Sequence, residues 1–140
     1  MGISQLAKLE RFVSRRREIA RHYDRAFSGI PEVILPVERS YIKSSYHLYV
    51  LQFDFSQLRT DRTELFDKLR ARNIGVHVHY IPAHLQPYYK NQFGYQYGDY
   101  PYAERYYDRC LTIPLYPRMT DMDVQRVIDS ICEEVESARS

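Results

Sequence analysis

The 140-residue sequence has no tryptophan, two cysteines (Cys110 and Cys132) and five glycines. Two cysteines cannot build a disulfide framework, so a reducing, cytoplasmic setting is expected, with both thiols inert. No run of 18 apolar residues occurs, so no membrane-spanning helix and no membrane partner are expected. The opening Met1-Gly2-Ile3-Ser4-Gln5-Leu6 follows a helical pattern, unlike a secretory leader. Charge of one sign is also lacking: 20 basic and 18 acidic side chains leave +2. Without a basic excess or a Gly-aromatic RNA-recognition motif, no nucleic-acid partner is expected. A Gly-rich phosphate loop, a G-x-S-x-G elbow and paired carboxylates are missing too, so no catalytic residue is assigned.

The chain does have an ordinary globular balance, 44% hydrophobic and 27% charged, which fits one domain over residues 1–140. It also has 14 tyrosines, ten of them between Tyr80 and Tyr116. Leu6, Leu9, Val13 and Ala20, flanked by Phe12, Ile19, Tyr23 and Phe27, predict a long first helix that stops at Ser28-Gly29. A helix already under way at the first residue suggests a piece of a longer protein. Residues 34–45 read as a polar connector. The apolar sets of Tyr46–Phe55 predict a central strand covered on both faces. Asp61 with Glu64 predicts a capped helix over Arg62–Arg72, followed by a turn at Asn73-Ile74-Gly75 and a second strand, Val76–Tyr80. A long tyrosine-rich loop, a short helix over Tyr102–Arg109 and a strand at Leu111–Leu115 come next. Thr120 and Asp123 cap a last helix with the stripe Val124, Val127, Ile128, Ile131 and Val135. The fold class is α+β, a sheet of about three strands with helices packed on it.

Candidate chemistry concentrates at His77-Val78-His79-Tyr80. Residues two apart on a strand share a face, so His77 and His79 project together. With His84 they are candidates for metal ligation, for hydrogen bonds to a ligand, or for plain packing. No carboxylate or thiol stands near in sequence to complete a metal shell, so no metal site is assigned. The tyrosines allow two readings, a polar-aromatic pocket for a sugar or phosphate and a wet subunit interface.

Several runs carry a family resemblance. They are Gly2-Ile3-Ser4-Gln5-Leu6-Ala7-Lys8-Leu9-Glu10, Arg15-Arg16-Arg17-Glu18-Ile19-Ala20, and Ser45-Tyr46-His47-Leu48-Tyr49. The most specific is His79-Tyr80-Ile81-Pro82-Ala83-His84-Leu85-Gln86-Pro87-Tyr88-Tyr89. Asp99-Tyr100-Pro101-Tyr102-Ala103-Glu104 and Leu111-Thr112-Ile113-Pro114-Leu115-Tyr116-Pro117 complete the set. Together they resemble the C-terminal small domain of DegT-type sugar aminotransferases, pyridoxal-phosphate enzymes of fold type I. The resemblance is strongest to enzymes that aminate C4 of UDP-linked 4-keto-6-deoxy-N-acetylhexosamines. It implies that the cofactor-binding large domain, with its Schiff-base lysine, lies outside this chain, which holds no cofactor-binding residue and is inactive alone. For the parent it implies glutamate and a nucleotide sugar as reactants, and a homodimer or higher homo-oligomer. His79, Tyr80, His84, Tyr88 and Tyr89 are the implied substrate-binding residues. The competing expectation is a non-catalytic carbohydrate-binding or oligomerisation module that kept the fold.

Overall fold

The computed structural model describes residue 2 and residues 6–139. The helical reading of residues 1 and 3–5 lies outside the described residues. Three strands, β1 (Val33–Ile34), β2 (Tyr49–Phe53) and β3 (Cys110–Ile113), form one antiparallel sheet in the order β1-β2-β3. The helices are α1 (Leu9–Phe27), α2 (Arg62–Ala71), α3 (Pro87–Phe93), α4 (Pro101–Arg109) and α5 (Asp121–Ser137). This is the α+β arrangement the sequence predicts. No described helix is long and apolar enough to cross a membrane.

Helix boundaries follow from local hydrogen bonds. Asp61 Oδ1 accepts from the Glu64 amide at 2.8 Å and starts α2. Its end is a Schellman closure. Asn73 takes a left-handed φ of 60°, so its amide reaches the Arg70 carbonyl and the Ile74 amide reaches that of Leu69. At α5, Thr120 Oγ1 accepts from the Asp123 amide at 3.1 Å, and Asp123 Oδ2 accepts from the Thr120 amide at 2.8 Å. Thr120→Ala should therefore lower the unfolding free energy by about 1 kcal/mol. A denaturant midpoint equal to that of the parent chain would count against this cap.

The core lies between the sheet and the helices. Tyr49, Leu51 and Phe53 of β2 are fully buried, whereas Val50 and Gln52 on the opposite face are half-buried. β2 is central as expected, but only one of its faces is sealed. α1 packs on α5, and α5 on α2. The described start of the predicted stripe stays outside this core: Leu6, ahead of α1, is 66% and Leu9 50% exposed, while Ile19, Ala20, Tyr23 and Phe27 are completely buried. Polar anchors lie at the same junction. Tyr23 Oη donates to the Pro114 carbonyl at 2.7 Å, and Tyr49 Oη donates to Asp24 at 2.6 Å. Burial, reinforced by Asp24, pushes the Tyr49 phenol far up, so it stays protonated and keeps that bond.

Three further sequence expectations need correction. Val76–Tyr80 is not a strand: it touches β3 through a single bridge, His77 to Thr112. Ile34, read as the start of the connector, instead joins Val33 in β1, because Val33 and Ile34 pair with Phe53 and Gln52. The tyrosine-rich loop contains a helix, α3, started by Pro87 at its first turn and ended by Gly94 at a φ of 72°.

Candidate functional site

Segment 74–79 runs beside β3 and is tied there by two hydrogen bonds. The His77 amide donates to the Thr112 carbonyl at 3.0 Å, and the Thr112 amide donates back at 2.8 Å. Val76 is buried and Val78 packs on the core, so the alternating His77 and His79 are left on the open side. Their rings lie 5.7 Å apart, and His79 Nδ1 is 2.9 Å from the hydroxyl of buried Thr112. This hydrogen bond fixes the ring, which leaves Nε2 free to meet a ligand. The two histidines join His47, Thr112, Tyr116 and Arg126 around a cavity of about 410 Å³. Imidazoles, hydroxyls and one guanidinium suit hydroxyl, amide or phosphate oxygens. Among the described residues, no three His, Cys, Asp or Glu side chains converge as a metal set.

Beyond His79 the chain carries its aromatics outward. Tyr80 is 73% exposed and meets His79 edge-on at 4.7 Å. Tyr88 and Tyr89 stand exposed on α3, their rings edge-to-face at 5.4 Å. Ring contacts then run from Tyr89 to Phe93, Tyr95, Tyr100 and finally His84. The five expected site residues therefore fall into two groups. His79 and Tyr80 adjoin the cavity, and Tyr88 and Tyr89 share an aromatic row that ends on His84.

His84 differs from the others in being buried. Its Nε2 donates to Glu104 Oε1 at 2.7 Å. Glu104, 2% exposed, also accepts from the amides of Gly98 at 2.8 Å and Tyr100 at 3.1 Å. Burial alone would raise the Glu104 carboxyl, but His84 and these two amides outweigh it and hold the group below the usual carboxylate range. The carboxylate is thus charged and fully occupied, and His84 Nε2 is committed to it. Sequence reasoning missed Glu104, His47 and Arg126 as site residues. The one available signal was Pro101 opening a helix with Glu104 in its first turn. The expected inert thiols also have a physical basis: Cys110 is buried, and burial raises both it and Cys132.

The spore coat polysaccharide biosynthesis protein SpsC of Bacillus subtilis is 43% identical over 139 residues, 99% of this chain and 36% of SpsC. Among solved structures, S. venezuelae DesV in complex with a ketimine intermediate superposes with a TM-score of 0.83 at 31% identity. That match covers 94% of this chain and 34% of DesV. Helicobacter pylori PseC, an aminotransferase involved in the biosynthesis of pseudoaminic acid, gives a TM-score of 0.87 at 28% identity. It covers 97% of this chain and 36% of PseC. The chain thus spans about a third of the length of the proteins it matches, and the likeness bears out the small α+β domain read from the sequence. The DegT/DnrJ/EryC1/StrS aminotransferase family matches residues 1–132, nearly the whole chain, and the chain belongs to that family.

Proposed function

We propose that this chain is the C-terminal, substrate-side domain of a pyridoxal-phosphate-dependent aminotransferase. The reaction is amino transfer from glutamate to C4 of a nucleotide-linked 4-keto-6-deoxy sugar, made for a bacterial surface polysaccharide or glycan. The observation that carries this reading is the cavity of His77, His79 and Thr112 beside exposed Tyr80, on a domain whose relatives include a polysaccharide biosynthesis protein and sugar aminotransferases. A cytoplasmic homodimer or larger homo-oligomer belongs to the same proposal.

On this reading the pyridoxal phosphate site and its Schiff-base lysine belong to the parent outside this chain. Lys68 is paired with Glu64 at 2.7 Å, and none of Lys8, Lys43, Lys68 and Lys90 lines the histidine cavity. The cofactor, which supplies the electron sink for amino transfer, is assigned to the remainder of the parent. This chain's part is to bind and orient the sugar. His79, held by Thr112, presents a fixed hydrogen-bonding edge, while Tyr80, Tyr88 and Tyr89 offer phenol hydroxyls and flat apolar faces to sugar rings. A wrong epimer would leave such groups unpaired, and so would be rejected.

The half-reactions test this reading. In the full-length enzyme, His79→Ala should slow amination of the keto sugar by roughly 5- to 150-fold in kcat/KM, from about 1–3 kcal/mol of lost hydrogen bonding. The glutamate half-reaction should be unchanged. Equal losses in both half-reactions, or only a lower melting temperature, would defeat the proposal.

A further inference from the structure

We propose that Glu104 is a positioning residue that holds the tyrosine surface in its sugar-binding shape. This inference rests on the site reading above. It comes from where the carboxylate sits and what it holds. Glu104 lies in the first turn of α4, yet its two oxygens gather donors from three places in the chain. Oε1 takes the imidazole of His84, 20 residues earlier, and the Tyr100 amide at the mouth of α4. Oε2 takes the amide of Gly98, in the bend before it, where φ is 104°. At such a φ a side chain would be strained, so the bend that brings this amide onto the carboxylate requires glycine.

One buried anion thus closes a loop that begins at the turn Ala83–Leu85 and ends at α4, and α3 with Tyr88 and Tyr89 lies inside it. Inside the loop the only buried side chain is His84, so little apolar packing holds the segment down. The order of the loop passes instead through the aromatic row. His84 packs on Tyr100 at 4.7 Å, Tyr100 on Tyr95 at 5.7 Å, Tyr95 on Phe93 at 5.9 Å, and Phe93 on Tyr89 at 6.0 Å. Releasing the carboxylate frees one end of this row, and Tyr88 and Tyr89 lose their fixed bearing on the sugar. His84 accordingly acts on the sugar through Glu104, while the tyrosines touch it.

The test uses the full-length enzyme with glutamate and a UDP-linked 4-keto-6-deoxy-N-acetylhexosamine. Glu104→Gln keeps the size and one acceptor oxygen but removes the charge and half of the acceptor capacity. It should raise KM for the sugar roughly tenfold, because small misplacements at a site are expensive, and leave KM for glutamate within about twofold. His84→Gln, which leaves the two amides on Glu104, should shift the same constant in the same direction by less. It decides the matter if Glu104→Gln does not fold. A folded variant of either kind with the parent's sugar KM, or with both KM values raised alike, overturns the proposal. The Tyr88→Phe/Tyr89→Phe double variant separates the two levels. If it raises the sugar KM while folded Glu104→Gln does not, the positioning role fails alone. If it has no effect, the sugar-site reading of these tyrosines fails and the positioning role fails with it.

Discussion

Treated with pyridoxal phosphate, then borohydride, then dialysis, the isolated 140-residue chain is expected to carry no stoichiometric adduct and to show no transaminase activity. The reason lies in the four lysines. A lysine that forms a Schiff base works from a site that lowers its pKa, by desolvation or a neighbouring cation. Lys68 sits in the opposite setting. Its ion pair with Glu64 on the surface of α2 raises its pKa and holds the ammonium charged. Lys43, Lys90 and Lys8, the last at the start of α1, are all open to solvent, so none of them is desolvated. Slow, scattered modification of these side chains is expected, and intact-mass spectra should show it as a spread below one adduct per chain. A single trapped lysine at full occupancy, or measurable turnover with glutamate, would overturn this expectation.

The second large effect concerns folding. Phe53→Ala should cost about 3–5 kcal/mol of unfolding free energy, a large share of the roughly 5–15 kcal/mol available to a domain of this kind. Phe53 is fully buried, stacks on Phe55 at 5.8 Å and stands opposite Val33 in the β1-β2 register, so its removal opens a cavity in the core beneath the β1-β2 pair. Val50→Ala, three residues away on the half-buried face, should cost no more than about 1.5 kcal/mol. Urea titrations of the two variants provide the check. Equal shifts in midpoint would mean that the two faces of β2 are not differently sealed.

How far the sequence was readable depended on whether local signals and long-range pairing agreed. α2 and α5 carried their own caps and apolar stripes, and both were legible to within a residue or two. β3 was legible as a short apolar run. β1 was not, because two residues become a strand only when Phe53 and Gln52 are laid beside them. Segment 76–80 shows the reverse case. Its alternation correctly placed His77 and His79 on one side, but only one bridge to Thr112 formed, so the pattern of a strand appears without the strand. In the site, the histidine pair was legible from spacing. The burial of His84 was not, since nothing near it in sequence announces an acidic partner 20 residues on. Ten tyrosines concealed α3 in the same way, although Pro87 and Gly94 marked both of its ends.

The brevity of β1 has a consequence for behaviour at high concentration. A sheet edge recruits foreign strands through its row of unpaired amides and carbonyls, and two residues offer almost none. At the other edge, the His77–Thr112 bridge already occupies the middle of β3. Neither margin offers the long, flat template from which cross-β fibres grow. If this domain clumps, its sticking points will be side-chain surfaces such as the tyrosine row or the outer turns of α1, giving amorphous and reversible assemblies in place of thioflavin-positive fibrils.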